Sequence, residues 1–202
     1  MSLRENGPVS GGRGAIVLTG GSAVRLQGVD KASIEVAGAT LLEHVLDALA
    51  EVSDVVVVGE EVGTSRPVTF LREDPPEGGP AAGVLAGLSG FLRMPRRVVV
   101  LAVDMPLVTS ATVGRLMRAA EEEPDGDGAL LVDDDGRRQY LCAVYRSEAL
   151  LATAPPLDAQ HGLAMRRLVD GLRLTEVPAL PGESQDVDTW GDLFALRERL
   201  EK

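Results

Sequence analysis

Four short stretches hold the residues whose types and spacing could do chemistry. The first is Leu18-Thr19-Gly20-Gly21-Ser22-Ala23-Val24-Arg25-Leu26-Gln27-Gly28-Val29-Asp30-Lys31, directly after an apolar run. Paired glycines let a backbone approach a ligand and turn its N–H groups inward, a nest suited to phosphate oxygens. Arg25 and Lys31 add positive charge on either side of Gly28. No Gly-Lys-Ser/Thr closes the segment, so it is not a Walker A loop, and it lacks the Gly-x-Gly-x-x-Gly fingerprint. The second is Asp104 in Val-Asp-Met-Pro, just past six apolar residues. A carboxylate at the end of a buried strand can hold a cation over the sheet edge. Mg²⁺ takes one or two protein carboxylates and leaves the rest of its shell to water and substrate phosphates.

The third stretch runs from Arg72 to Gly83. Asp74 offers an acceptor to ligand hydroxyls or base nitrogens. Gly79 and Pro80 open a helix through Gly83 whose first turn could present free N–H groups, with Pro80 suited to the first helical position. The fourth is Gln185-Asp186-Val187-Asp188-Thr189-Trp190. In an extended segment both carboxylates would share one face and meet a metal or a phosphate-bearing substrate. Each stretch also has a plain reading. Gly-Gly and Asp-x-Pro are ordinary turn chemistry, and Asp188 or Thr189 can simply cap the last helix.

The surrounding elements decide between these readings. Apolar runs at Ala15 to Leu18, Val55 to Val58, Val98 to Val103 and Ala129 to Val132 each end in a turn. Helical patterns lie between them, so a mostly parallel sheet covered by helices is expected. Thr40 and Glu43 form a capping box before Leu41, Leu42, Val45, Leu46 and Leu49. Further helices are expected over 80–93, from Thr109 or Ser110 to Glu122, over 160–172, and from Thr189 and Asp192 onward. The first and third runs bring the Gly-Gly loop and Asp104 to the carboxyl edge, where open α/β sheets bind ligands. Residues 1–13 read as a flexible N-terminal tail and 14–202 as a single domain.

Composition narrows the function. The 202 residues are 45% hydrophobic but only 3% aromatic, and the net charge is −11. Few rings and excess acid argue against nucleic-acid binding, which relies on base stacking and on neutralising phosphates with Lys and Arg. No apolar stretch approaches the roughly 20 residues that span a bilayer, and the start of the chain does not read as a secretory signal. The lone Cys142 excludes an intramolecular disulfide and a Cys-cluster zinc site. A cytoplasmic protein without membrane contact is expected. His44 and His161 are too far apart to suggest a His-based metal site. Cys142 reads as a core thiol, Glu121 to Glu123 as a solvated helix end, and Asp133 to Asp135 as a hairpin tip.

Together these segments resemble the molybdenum cofactor guanylyltransferases, within the MobA-like NTP transferases. The family's Leu-Ala-Gly-Gly, Arg-Met-Gly and Asp-Lys stand here as Leu18-Thr19-Gly20-Gly21, Arg25-Leu26 with Gly28, and Asp30-Lys31. Asp74 and Gly79-Pro80-Ala81-Ala82-Gly83 match its middle segment, and Asp104-Met105-Pro106 its metal motif. Asp186-Val187-Asp188-Thr189 stands where the family has Asn-x-Asn-Thr, and residues 14 to 200 follow the family's order and spacing.

The resemblance implies a three-layer, Rossmann-like α/β fold of the nucleotide-diphospho-sugar transferase type. It implies transfer of GMP from GTP to molybdopterin with release of pyrophosphate, and Mg²⁺ as cofactor. GTP and molybdopterin would be the small-molecule substrates, with transient contact to molybdenum-cofactor proteins. Asp104, with Asp188, would hold the metal. Lys31 and Arg25 would manage the departing pyrophosphate charge, and Leu18, Thr19, Gly20 and Gly21 would cradle the nucleotide. Asp74, Gly79, Pro80 and Gly83 would contact the nucleoside. Thr19 for Ala, Leu26 for Met, two aspartates for asparagines, and no Asn around Val58-Gly59-Glu60 are departures from the pattern. They leave open a CTP-dependent relative, another phosphate acceptor such as a sugar or cobinamide phosphate, and a non-catalytic nucleotide binder.

Overall fold

A computed structural model of the chain describes residues 10–20, 30–72 and 78–200. The elements, in chain order, are β1 (Ser10–Leu18), β2 (Glu35–Val36), β3 (Ala39–Thr40), α1 (Leu41–Ala48), β4 (Asp54–Val58) and β5 (Thr69–Leu71). They continue with α2 (Pro80–Ser89), β6 (Pro95–Ala102), α3 (Ser110–Glu122), β7 (Gly128–Val132), β8 (Arg138–Arg146) and α4 (Ser147–Thr153). The last are α5 (Met165–Leu168), β9 (Leu174–Pro178) and α6 (Trp190–Leu200).

Seven strands form one sheet in the order β5-β4-β1-β6-β8-β7-β9. β4, β5 and β6 join β1 in a parallel set, and β9 runs parallel to β7. Only β8 is antiparallel to its neighbours, β6 and β7. After β1 the chain builds β4 and β5 on one side, then returns to lay β6 on the other. β1 is thus the point where strand order reverses, and such a point opens a crevice at the carboxyl edge.

Period-two alternation along the central strands separates two cores. Ala15, Val17, Val55, Val57, Val99 and Leu101 pack with Leu42 and Leu46 of α1, Leu116 and Met117 of α3, and Leu193 and Leu196 of α6. Ile16, Leu18, Val56, Val58, Val98 and Val100 pack with Val84 and Leu88 of α2, Leu150 of α4, and Met165 and Leu168 of α5. The result is three layers, as expected. Gly87 makes the α2 contact possible, since a Cβ there would stand 2.7 Å from Ile16 Cγ2.

Helix starts follow the expected caps. Thr40 Oγ1 accepts from the N–H of Glu43 at 3.1 Å. Thr109 and Thr112 exchange side-chain-to-backbone bonds at the start of α3. Two expectations need correction. Instead of a helix over 160–172 there is only the single turn Met165–Leu168, bounded by Gly162 at φ 71° and Gly171 at φ 86°. Its apolar residues are buried from a short turn, which reproduces helical spacing without helical length. The strand β1 also begins at Ser10, inside the stretch expected as tail, because backbone pairing with Pro95 does not need an apolar side chain. Asp133 to Asp135 do form a hairpin tip, closed by Gly136 N–H to Asp133 O at 3.0 Å.

Candidate active site

Strand register brings the first and third runs level at the carboxyl edge. Leu18 lies opposite Val58 on one side and Ala102 on the other, and Val103 N–H donates to Leu18 O at 2.9 Å. Thr19 continues the edge. Its N–H and its hydroxyl both donate to Val58 O, at 3.1 and 3.2 Å. The threonine that departs from the family's alanine therefore staples the end of β1 to the end of β4. Gly59 follows at φ 155°, and a Cβ there would stand 1.8 Å from Thr19 Oγ1, so the close approach requires glycine. Gly20 is exposed beyond Thr19.

Lys31 returns to this edge from a 3-10 turn, Lys31–Ser33. Asp30 caps the turn by accepting from Ala32 N–H at 3.1 Å. Lys31 is 8% exposed, and its Nζ lies 2.9 Å from Asp188 Oδ1 and 3.5 Å from Asp104 Oδ2. One buried ammonium thus stands between two carboxylates that are 84 positions apart in the chain.

Asp186 and Asp188 are carried by a segment without regular secondary structure, not by a strand. Val187 between them is 2% exposed, and its N–H donates to Asp104 O at 2.8 Å. Thr189, not Asp188, caps α6. Its N–H and hydroxyl donate to Asp192 Oδ2, both at 2.8 Å, and Asp192 N–H returns to Thr189 Oγ1 at 3.2 Å. Asp188 is thereby left to face Lys31.

The electrostatics are those of crowded acid. Desolvation raises the Asp104 pKa, Lys31 opposes that rise, and Asp188 adds to it. Asp186 is pushed up to about 6, first by desolvation from the surrounding protein and then by Asp104 and Asp188. Its carboxylate nevertheless keeps access to solvent.

Further back, Glu183 anchors the same segment. Its carboxylate is buried and accepts from Thr112 Oγ1 at 2.7 Å, from Arg115 Nη1 and Nη2 at 2.8 and 2.7 Å, and from Leu180 N–H at 2.7 Å. Burial alone would raise its pKa, but the bonds from Arg115, Leu180 and Thr112 outweigh that and hold it below the usual glutamate value. Glu183 lies 68 positions from Arg115, so no local motif announces the pair.

Of the stretch from Arg72 to Gly83, Arg72 and the residues from Gly78 onward are described. Gly79 takes φ 89° as the N-cap of α2, with Pro80 in the first turn, and Gly79 O accepts from Gly83 N–H at 3.0 Å. Of the N–H groups expected to be free there, that of Ala81 is directed to Leu163 O at 3.4 Å. Gly78 O accepts from Gly162 N–H at 2.7 Å, which ties this turn to the loop before α5. Gly21, Arg25 and Asp74 lie outside the described residues.

Among the described residues no group of three or more His, Cys, Asp and Glu side chains converges as a metal cage. Asp104 and Asp188 do supply the hard oxygen donors that Mg²⁺ prefers, in the small number it requires of a protein. Lys31 offsets part of the charge of the same pair. His44 Nε2 lies 2.9 Å from Val36 O, a packing role. Cys142 is buried, its thiol pushed up to about 12 by desolvation.

With this geometry in hand, the chain can be placed among known proteins. The family model for the MobA-like NTP transferase domain matches residues 15–177. The chain belongs to the MobA-like NTP transferase family. It is 36% identical over 177 residues to a probable molybdenum cofactor guanylyltransferase of Opitutus terrae, covering 84% of this chain and 85% of that one. It is 33% identical over 178 residues to the protein of the same name from Mycobacterium tuberculosis H37Rv, with coverage of 82% and 85%. Among solved structures, the molybdopterin-guanine dinucleotide biosynthesis protein A of Archaeoglobus fulgidus matches at a TM-score of 0.71 and 22% identity, covering 93% of this chain and 98% of that one. A 2-C-methyl-D-erythritol 4-phosphate cytidylyltransferase of Thermus thermophilus matches at 0.67 and 19%, with coverage of 93% and 98%. At these identities the two structures speak for the fold alone. As a family member, the chain is a nucleotidyltransferase whose switch-point edge carries Lys31, Asp104 and Asp188. No helix among the described residues is long and apolar enough to cross a membrane.

Proposed function

We propose that this chain transfers GMP from GTP to the terminal phosphate of molybdopterin, releasing pyrophosphate, with Mg²⁺ as cofactor in the cytoplasm. The observation that carries the reading is the Lys31–Asp104–Asp188 cluster at the carboxyl edge of β1 and β6, in a chain whose relatives bear the guanylyltransferase name. Asp104 and Asp188 would hold the metal, which when bound withdraws charge from the phosphate oxygens.

The acceptor phosphate oxygen is anionic near neutral pH, so it attacks the α-phosphorus of GTP without a general base. Its bond to phosphorus forms as the bond to the bridging oxygen breaks, and that oxygen leaves with the pyrophosphate. What the protein must supply is alignment and charge stabilisation. Lys31 supplies a desolvated positive charge whose position two carboxylates fix. Arg25 and the glycine loop from Leu18 to Gly21 would receive the phosphates, while Asp74 and the Gly79-Pro80 turn through Gly83 would face the nucleoside. Asp186 would contact the acceptor.

The test is pyrophosphate release with Mg²⁺ and molybdopterin, GTP being compared with CTP, UTP and ATP. Release with GTP that requires the acceptor is expected. Nucleotide binding without release would overturn the catalytic reading, and a preference for CTP would overturn the choice of base.

A further inference from the structure

At the opposite edge of the sheet the structure holds three arginines in one row. Arg97 on β6 is in register with Arg13 on β1 and with Arg146 on β8. Neighbouring strands lie about 4.8 Å apart, and like charges directly opposite across a sheet repel. Arg13, Arg97 and Arg146 share the strand parity of Val17, Val99 and Val144, so the row faces the layer of α3.

The outer two arginines have acceptors. Arg13 Nη2 donates to Glu121 Oε1 at 2.8 Å, and Arg146 Nη2 donates to Pro124 O and Gly126 O at 2.9 and 2.6 Å. The middle one does not. Arg97 is 6% exposed, and among the described residues its Nη1 is buried without a hydrogen-bond partner. Burial and the neighbouring Arg96 and Arg146 all work against its charge, and of the nearby groups Glu121 favours it. A buried polar group without a partner is costly, and a buried charge more so.

Beside this guanidinium is a cavity of about 220 Å³ lined by Gly12, Arg13, Arg96, Arg97, Glu121 and Pro124. Among the described residues that line it, three are cations, in a chain whose net charge is −11. Glu121, the one acid among the described lining residues, is already paired with Arg13. We propose that this cavity is an oxyanion site that takes inorganic phosphate, held by Arg13, Arg96 and Arg97 together. A planar guanidinium presents paired donors that match the oxygens of a phosphate. A water occupies about 30 Å³ of liquid, so the cavity admits a hydrated phosphate, and it is smaller than the roughly 300–1,000 Å³ of pockets that bury drug-sized ligands. The site lies at the amino end of β6, at the opposite edge of the sheet from Asp104, and does not depend on the reading of the active site.

Phosphate titration of the full chain, followed by amide NMR and by calorimetry, tests it. Saturable binding is expected, with shifts at Gly12, Val98 and Glu121 that titrate separately from any along Leu18 to Thr19. Arg97→Met should weaken it about ten- to a hundredfold, the loss of a charge-assisted bond. Arg13→Met, at an exposed position, should weaken it less and guards against a misfolded Arg97 variant. Lys31→Met should leave it intact. GMP separates a phosphate held on a nucleotide from the free ion: at equal concentration it is expected to move Gly12, Val98 and Glu121 less than phosphate does, whatever it does along Leu18 to Thr19. Absence of saturable binding, unchanged affinity in both arginine variants, or shifts confined to the Lys31 edge would overturn the proposal.

Discussion

The N–H of Val187 donates to the carbonyl of Asp104 over 2.8 Å, joining the turn after β6 to the segment before α6. The bond uses main-chain atoms only. Asp104 and Asp188 therefore stay in reach of Lys31 through a connection that side-chain substitution does not remove.

Asp104→Ala should for that reason retain its fold while transfer falls by about 10²–10³-fold or more, the scale seen when one charge-stabilising group is lost. Circular dichroism reads the fold and pyrophosphate release the activity. Undiminished turnover would remove Asp104 from the site.

Lys31→Met leaves Asp104 and Asp188 facing each other without the ammonium between them. Transfer should fall on a similar scale of about 10²–10³-fold. The Asp104 pKa, which Lys31 now holds down, should rise further. A carboxyl ¹³C titration of Asp104 reads that shift independently of activity.

Asp186 gives the metal-free protein an inverted acid dependence. Its folded pKa, about 6, lies above the ordinary aspartate value of 3.8, so between them the folded state binds more protons than the unfolded one. Its contribution to stability is present below about pH 4, declines as pH rises to about 6, and is flat beyond. Urea titrations in chelator should show this slope in the wild type and not in Asp186→Asn. An identical slope in both proteins would clear Asp186 of the effect.

Glu183 has the opposite sign. Its folded pKa is depressed, so the stability it contributes is full above the unfolded glutamate value and is lost as pH falls through the folded one. Glu183→Gln should cost about 1.5–3 kcal/mol at neutral pH, the scale of a hydrogen bond to a charged group, and the difference should shrink in acid. Denaturant midpoints across pH measure it.

Gly59→Ala should destabilise by about 1–3 kcal/mol, because it combines a left-handed φ with a collision at Thr19 Oγ1. Thr19→Ala removes the colliding hydroxyl. The double variant should therefore lose less than the two single losses added together, and a thermodynamic cycle reads the coupling.

The central strands were legible because Val55 to Val58 and Val98 to Val103 are apolar on both faces, as doubly covered parallel strands must be. The edge and minor strands were not. Thr69–Leu71 and Leu174–Pro178 are short and half-exposed, and Glu35–Val36 with Ala39–Thr40 is a two-residue ladder. Among site residues, Asp104 and Lys31 were marked by position after a strand and by motif spacing. The pairing of Lys31 with Asp188 was not, since sequence assigned the lysine to the departing phosphates and the aspartate to a metal. Glu183 with Arg115, and the row Arg13, Arg97, Arg146, depend on tertiary packing and strand register, which residue spacing does not encode.

Lys31, Asp104 and Asp188 come from the first, middle and last parts of the chain. During synthesis a ribosome must release nearly the entire domain before these three side chains can meet. No nascent fragment carries the finished edge, and a chain cleaved between β9 and Asp188 would keep every strand of its sheet yet lack one wall of the site. Fragment complementation, with the chain split between β9 and α6, would turn that dependence into an assay for when the edge closes.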